Sequence, residues 1–142
     1  MRLFNVYGPG QNMNNLKQGM VSIYLAQALK NKKIIIKGSL NRVRDFIFID
    51  DVVDAIFSLV LKDTSGIYNI GSGVETSINN LIEIVLNASE QYDREIKSTI
   101  KNIDYSYNAL NVEQIKNTTS WEPKFTLSQS VKKMLNSKEY VK

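Results

Sequence analysis

The chain has 142 residues, of which 43% are hydrophobic and 23% charged, and its formal net charge is +4. This size suits one domain with its own core, and the apolar fraction is too high for a disordered chain. The sequence has no cysteine and no histidine, which excludes disulfides, zinc sites with such ligands and Ser-His-Asp catalysis. No apolar run reaches the ~20 residues of a membrane span, so we expect a cytoplasmic protein without a membrane partner.

The first half of the chain predicts alternating strands and helices. Residues 2–7 form an apolar-rich strand that stops at the Gly-Pro-Gly turn 8–10. A helix is predicted over 16–30, a short β-branched strand over 34–36 and an extended segment over 43–49. Asp50 or Asp51 then caps a helix whose apolar face has four members: Val52, Ile56, Leu59 and Val60.

The second half continues the same mixed pattern. A strand at 67–70 leads through the turn 71–73 to a helix that Thr76 or Ser77 caps and that runs to about Ala88, and residues 95–100 suit another strand. Residues 111–114 and 126–129 have capping-box spacing, and each starts a helix. The fold class is therefore α/β, of a mixed α+β kind, with too few strands for a full doubly wound sheet.

One motif imitates a dinucleotide-binding turn. Gly71 and Gly73 follow a strand and open a helix, and Asp93 comes twenty residues later. Glycines in this context let a pyrophosphate approach a helix N-terminus. Because Thr76 stands where the third glycine belongs, we favour an ordinary strand–turn–helix connection.

The densest basic stretch lies between residues 30 and 44. Its first lysines suit the solvated end of a helix and the edge of a strand, and acidic residues follow at once, which argues against a nucleic-acid partner. Arg44 lies in an apolar segment beside Asp45. Its guanidinium suits a bidentate contact with a phosphate or carboxylate, but a structural pair with Asp45 is an equal alternative.

Five segments together resemble a known family. In order and spacing, they are similar to the C-terminal, substrate-binding part of an extended short-chain dehydrogenase/reductase of the NAD-dependent nucleotide-sugar epimerase/dehydratase family, most like its UDP-glucose 4-epimerase branch. The segments are 2–11, 15–24, 38–55, 68–73 and 121–123. The resemblance implies that residues 1–142 form the end of an incomplete Rossmann sheet and a substrate-binding domain, without the N-terminal Rossmann domain.

The resemblance also implies roles for single residues. A UDP-sugar or related nucleotide-sugar would contact Asn5, Asn15, Leu16 and Arg44, with the N-terminus of the helix after Asn15 near the phosphates. Asn5 could instead be only a turn residue. Phe4 and Tyr7 would lie towards the nicotinamide of the cofactor or in the core beneath it.

Two departures from the family pattern limit what this chain can do. The stretch 101–108 lacks the arginine and proline that the family carries near its end, and Lys101 offers only a point charge. The Gly-rich NAD turn and the catalytic Tyr-x-x-x-Lys lie earlier in the family than the segment seen here, and no tyrosine of the chain has a lysine four residues later. We therefore expect no catalytic residue and no metal site here, and NAD in the intact enzyme but no tight NAD binding to this chain alone.

A different class of function stays open. Surfaces that normally face the nucleotide-binding domain would be exposed, and exposed apolar patches bind partners. The alternative is a non-catalytic binding or assembly module that forms a homo-oligomer or docks onto a separate N-terminal half.

Overall fold

Five helices carry most of the regular structure in the computed structural model, which describes residues 1–15, 17, 19–30, 33–99 and 111–137. They are α1 (Met20–Lys30), α2 (Ile49–Leu61), α3 (Ile78–Ser89), α4 (Glu113–Thr119) and α5 (Leu127–Leu135). None of the helices in these described ranges is long and apolar enough to cross a membrane.

Short strands alternate with the helices. They are β1 (Arg2–Leu3), β2 (Val6–Tyr7), β3 (Lys33–Ile36), β4 (Val43–Arg44), β5 (Ile47–Phe48), β6 (Asn69–Ile70), β7 (Thr76–Ser77) and β8 (Glu95–Ser98). In the described part of the chain, β1 pairs with β6, β2 with β5 and β3 with β8 in parallel, whereas β4 and β7 are antiparallel. The α/β fold class is thereby confirmed.

Two predicted strands are interrupted in the structure. The segment 2–7 breaks between β1 and β2 because Asn5 has a positive φ of 30°, which a strand does not accommodate. The segment 43–49 divides into β4 and β5 at Asp45 and Phe46, and its last residue, Ile49, already begins α2. Each half of a broken strand pairs with a different neighbour, so the breaks move the chain from one strand pair to the next.

Two predicted helix starts are wrong. The helix predicted from residue 16 begins at Met20, because Gly19 has a φ of 80°, outside the right-handed helical region. The N-cap of α2 is Phe48, which makes no side-chain cap hydrogen bond. Asp50 and Asp51 lie in the first turn instead, where negative charge favours the helix dipole.

The later caps agree better with the sequence. The Ser77 hydroxyl accepts the Asn80 N–H at 3.1 Å and caps α3. Thr126 and Gln129 form the expected reciprocal capping box at the start of α5. The capping box predicted at 111–114 is wrong, because the N-cap of α4 is Val112, which makes no side-chain cap hydrogen bond. The Asn111 side chain accepts the Glu113 N–H at 2.9 Å and so holds the turn just before the helix.

The buried side chains form two cores on either side of β5. The α1–α3–α5 core contains Tyr7, Val21, Tyr24, Leu25, Ala28, Ile34, Ile36, Phe46, Phe48, Ile78, Leu81, Ile82, Val85, Val131 and Met134. The α2–α4 core contains Ile47, Val52, Ala55, Leu59, Tyr68, Ile70, Val112, Ile115 and Trp121. Successive residues of β5 enter different cores because side chains alternate along a strand. Val60, which was predicted on the buried face of α2, is exposed, and Ala55 is buried in that helix instead.

Candidate functional site

The β2–β5 pair brings together two segments that the sequence singles out. β2 follows Asn5 and β5 follows Phe46, with Val6 opposite Ile47 in the parallel register. The positive φ of Asn5 turns its side chain towards the second segment, where Nδ2 donates a hydrogen bond of 2.8 Å to the Asp45 carbonyl oxygen. Asn5 is therefore a turn residue whose amide also connects the segment 4–7 to the segment that carries Arg44.

A cavity of about 210 Å³ opens beside this contact. One of its lining residues, Gln11, accepts a hydrogen bond through Oε1 from the Ser22 hydroxyl. Gly19 lines the cavity with a φ of 80°, which favours glycine, and a Cβ there would lie 2.9 Å from Gln11 Nε2. We name this the site cavity, and its lining residues are Asn5, Val6, Tyr7, Gln11, Gly19, Met20, Val21 and Phe46.

Arg44 and Asp45 have different surroundings. Arg44 is half-buried in β4, and its Nη1 donates to the Val43 carbonyl oxygen at 2.6 Å. Asp45 is fully buried, and its carboxylate accepts hydrogen bonds from the Ser72 N–H at 2.8 Å, the Ser72 hydroxyl at 2.6 Å and the Gly73 N–H at 2.9 Å. The Asp45 carboxylate thus fastens the turn 71–73 to β4 and β5, a structural task that the sequence reasoning did not assign to it.

The same contacts show whether the Gly71–Gly73 turn can bind a dinucleotide. The N–H groups that would bind a dinucleotide pyrophosphate donate to Asp45 instead. Thr76, where the third glycine of that motif belongs, begins β7 and pairs with Arg44. The turn does not fit a dinucleotide and is the ordinary strand–turn–helix connection that we favoured.

Tyr7 lies in the core, the second of the two positions expected for it. Its side chain is 2% exposed and contacts the Phe48 ring at a centroid distance of 5.7 Å. Burial raises the pKa of Tyr7 to about 12, against a smaller lowering by the hydrogen bond with Ser130. Its hydroxyl therefore stays protonated at neutral pH. Phe4 is half-buried between β1 and β2, and its cofactor contact stays a prediction.

Of the remaining predicted residues, the structure describes Asn15, which lies before α1. Asn15 is exposed, and its side-chain oxygen accepts the Lys17 N–H at 3.1 Å. It precedes Met20, the first residue of α1, by five positions, so it does not begin the helix as expected. Leu16 and the stretch 101–108 lie outside the described residues.

The sequence reasoning gave no role to two polar side chains, Gln11 and Asp51. Gln11 is half-buried and lines the site cavity, but in the sequence it is only the last residue of the family segment 2–11. Asp51 is 1% exposed and accepts the N–H groups of Lys124 and Phe125 at 2.8 and 3.2 Å. Its position in an apolar run was a usable signal, as it was for Asp45, because a carboxylate is buried only where donors satisfy it.

Comparison with known proteins supports the family inferred from these segments. Residues 1–71, half of the chain, match the family described as the NAD dependent epimerase/dehydratase family. The chain belongs to this family. The matched residues contain the site cavity, Arg44, Asp45 and the whole of α2.

Two curated relatives and one solved structure illustrate the similarity. The chain is 29% identical to dTDP-L-rhamnose 4-epimerase of Burkholderia thailandensis, over 92% of this chain and 37% of that protein. It is 30% identical to a putative UDP-glucose 4-epimerase of Methanocaldococcus jannaschii, over 96% and 44%. The crystal structure of UDP-glucose 4-epimerase from Thermotoga maritima with UDP-glucose matches with a TM-score of 0.80 and 29% identity, over 98% of this chain and 44% of that one.

This epimerase/dehydratase family member thus spans less than half the length of these relatives. The shared part includes the two segments that β2 and β5 hold side by side.

Proposed function

We propose that this chain forms the nucleotide-sugar-binding part of an NAD-dependent sugar epimerase or dehydratase. The observation that carries the proposal is the hydrogen bond from Asn5 to the Asp45 backbone. It joins the segment 4–7 to the segment containing Arg44 at the edge of the site cavity. Both segments were expected on the substrate side, and their adjacency gives a ligand one place to contact both.

The polar atoms of the site suit a sugar diphosphate. Asn5 donates through Nδ2. Its side-chain oxygen would therefore be the atom that accepts a hydrogen bond from a hydroxyl group of the ligand. Arg44 carries a planar guanidinium that binds phosphate oxygens in pairs. The names of the relatives refer to dTDP- and UDP-linked sugars, and a diphosphate is common to both. We propose a UDP-sugar or a related nucleotide-sugar as the ligand.

Replacement of Arg44 tests this proposal. Truncation of one partner in a desolvated charge pair costs about 2–5 kcal/mol, so Arg44→Ala should weaken UDP-glucose binding at least about thirtyfold in titration calorimetry. Arg2→Ala, in the exposed strand β1, is the matched control and should leave the affinity unchanged. Equal affinities for the wild type and Arg44→Ala would remove the phosphate role of Arg44.

We further propose that the chain alone does not turn over a sugar substrate. A tyrosine that acts as general base needs a pKa near the working pH, whereas Tyr7, which lines the site cavity, has its pKa raised to about 12. NAD would be held by the rest of the whole protein, since the turn 71–73 is occupied by Asp45. Incubation with UDP-glucose and NAD should yield no epimer, and measurable turnover would contradict this proposal.

A second function, as an assembly module, is favoured by one face of α2. Its four exposed positions are all apolar: Val53 (42% exposed), Phe57 (63%), Val60 (69%) and Leu61 (83%). We name these residues the exposed α2 face. Such a face on a soluble protein is typical of a protein–protein contact, and the occupant would be a second copy or a separate N-terminal half.

The two occupants are tested separately, a second copy by light scattering and an N-terminal half by co-purification. The double variant Phe57→Ser, Val60→Ser should reduce self-association, while Ile67→Ser, Val74→Ser, which changes two other exposed apolar residues, should not. Co-expression with an N-terminal half from a relative of the family tests the other occupant by co-purification. A chain that stays monomeric and does not co-purify would exclude the assembly role.

A further inference from the structure

Asp45 lies between two of the residues that we propose as ligand contacts. Arg44 precedes it in the chain, and the Asp45 carbonyl oxygen accepts a hydrogen bond from Asn5 Nδ2 at 2.8 Å. The side chain of Asp45 is fully buried, at 0% exposure, so it does not reach a ligand in the site cavity. Asp45 therefore adjoins two proposed ligand contacts while it lies beneath the surface that would bind the ligand.

The short strand that carries Arg44 has little support of its own. β4 consists of two residues, and in the part of the chain that the structure describes it pairs only with β7. Arg44 lies opposite Thr76 in that pair, and a two-stranded antiparallel pair by itself is at best marginally stable. The direction in which the Arg44 side chain leaves the backbone therefore depends on the contacts at the two ends of β4.

The Asp45 carboxylate supplies the contacts at one end. Oδ1 accepts both the N–H and the hydroxyl of Ser72, and Oδ2 accepts the Gly73 N–H at 2.9 Å. Hydrogen bonds to a carboxylate are stronger than those between neutral groups. At the other end, the Ile78 N–H donates to the Arg42 carbonyl oxygen at 3.0 Å. The strand β4 is thus held against its partner from both sides, and the stronger contacts are those of Asp45.

We propose, on the basis of the nucleotide-sugar function given above, that Asp45 is the positioning residue of the site and fixes the Arg44 guanidinium where the ligand phosphates bind. Asp45 does not contact the ligand and acts through Arg44. Its backbone also holds Asn5 beside the site cavity. Arg44 Nη1 has a defined position in the free chain, since it donates to the Val43 carbonyl oxygen at 2.6 Å. A side chain that is already ordered loses less freedom when a ligand binds, so a loosened Arg44 should bind the same ligand more weakly.

Asp51 provides a matched control for a substitution at Asp45. Both carboxylates are buried and both accept two backbone N–H groups, but those bound by Asp51 belong to Lys124 and Phe125. Asparagine has nearly the same shape, but one of its terminal groups is a donor, so either variant should lose a contact with a backbone N–H. We therefore expect Asp45→Asn and Asp51→Asn to lower the thermal midpoint of unfolding by similar amounts. Only Asp45→Asn should weaken UDP-glucose binding.

Titration calorimetry with UDP-glucose measures that difference. Asp45→Asn should weaken binding about tenfold, less than Arg44→Ala does, because the guanidinium is displaced and not removed. In the Arg44→Ala background, the same substitution should change the affinity by less than about threefold, since residues that act through one another are not additive. Equal affinities of Asp45→Asn and Asp51→Asn, or full additivity with Arg44→Ala, would overturn the proposal.

A milder variant keeps the test decisive if Asp45→Asn does not fold. Ser72→Ala removes the hydroxyl that donates to Asp45 and keeps the two backbone donors. It should weaken UDP-glucose binding about threefold, and circular dichroism establishes its folding. In that case, an unchanged affinity of folded Ser72→Ala would overturn the proposal.

A measurement without ligand separates this proposal from the proposed function. NMR relaxation of the Arg44 Nε–H, whose signal is assigned by its absence in Arg44→Lys, reports how firmly the side chain is held on the picosecond-to-nanosecond timescale. Its order parameter should fall in Asp45→Asn and keep the wild-type value in Asp51→Asn. An unchanged order parameter in Asp45→Asn would overturn the positioning role even where UDP-glucose binds. No binding of UDP-glucose to the wild type would instead contradict the proposed function, and the order parameter would still decide whether Asp45 positions Arg44.

Discussion

The helices α2 and α3 have similar lengths, 13 and 12 residues, and both bury one apolar face, but their outer faces differ in kind. The exposed positions of α3 are polar: Asn79, Asn80, Glu83 and Asn87. The exposed positions of α2 are the apolar residues of the exposed α2 face. α3 packs against α1 on one side and α5 on the other, whereas α2 packs against α4.

This difference assigns separate tasks to the two sides of the molecule. A helix that is apolar on more than one face is normally covered on each. The α3 side is complete in this respect, and the site cavity adjoins α1 there. The α2 side retains an uncovered apolar surface, so its free energy of burial is available for association with another polypeptide.

The largest effects should come from the buried face of α3. Ile82 is fully buried, and Ile82→Ala should lower the free energy of unfolding by about 2–5 kcal/mol, since it removes apolar contacts and leaves a cavity. Val60→Ala on the exposed α2 face should change the stability of the monomer by less than about 0.5 kcal/mol. Urea unfolding at one low protein concentration measures both.

Trp121, the single tryptophan, reports on the α2–α4 core because it is 4% exposed there. If the two cores unfold together, its fluorescence and the far-UV circular dichroism of Ile82→Ala should show one common midpoint. A Val60→Ala variant as destabilised as Ile82→Ala would show that the exposed α2 face is packed within the monomer.

The next largest effect is a loss of stability at alkaline pH that originates on the α3 side. Tyr7 lies in the α1–α3–α5 core, where burial raises its pKa from 10.0 to about 12. Between these values the unfolded tyrosine loses its proton and the folded one keeps it, so ionisation favours unfolding. The contribution is complete below pH 10 and is lost by pH 12, about 2–3 kcal/mol in all.

Urea unfolding between pH 9 and pH 11.5 measures how the free energy of unfolding falls with pH in the wild type and in Tyr7→Phe. The part of this slope that comes from Tyr7 should be missing in the variant. Tyr92→Phe is the control, because Tyr92 is 71% exposed and should leave the slope as it is. Parallel slopes for the wild type and Tyr7→Phe would mean that Tyr7 is not desolvated in solution.

The sequence predicted what depends on local pattern. Helix periodicity, apart from Val60, and the Ser77 and Thr126 caps follow from neighbouring residues, and the structure agrees with them. The start of α1 failed because Gly19 has a φ of 80°, outside the right-handed helical region. Glycine permits this φ, but the apolar spacing of the helix does not reveal it.

In the candidate site, the sequence likewise identified residues but not the contacts between distant segments. Asn5 was identified through its motif, but its contact with Asp45 spans forty residues. The position of Asp45 and Asp51 in apolar runs indicates burial, but only the fold reveals the backbone donors of the segments 72–73 and 124–125 that they bind.

The smallest predicted effect on stability concerns the helix caps, since α3 has a side-chain N-cap and α2 has none. The Ser77 hydroxyl caps α3, whereas α2 begins after Phe48 without a side-chain cap. Ser77→Ala should therefore lower the free energy of unfolding by about 1 kcal/mol.

In α2, the Ser58 hydroxyl donates to the Asp54 carbonyl oxygen within the same helix, and such a bond adds little to a helix that already satisfies its backbone. Ser58→Ala should thus stay within about 0.5 kcal/mol of the wild type. Thermal and urea unfolding of the two serine variants check this difference, and equal losses would mean that the α3 cap contributes no more than an internal serine does.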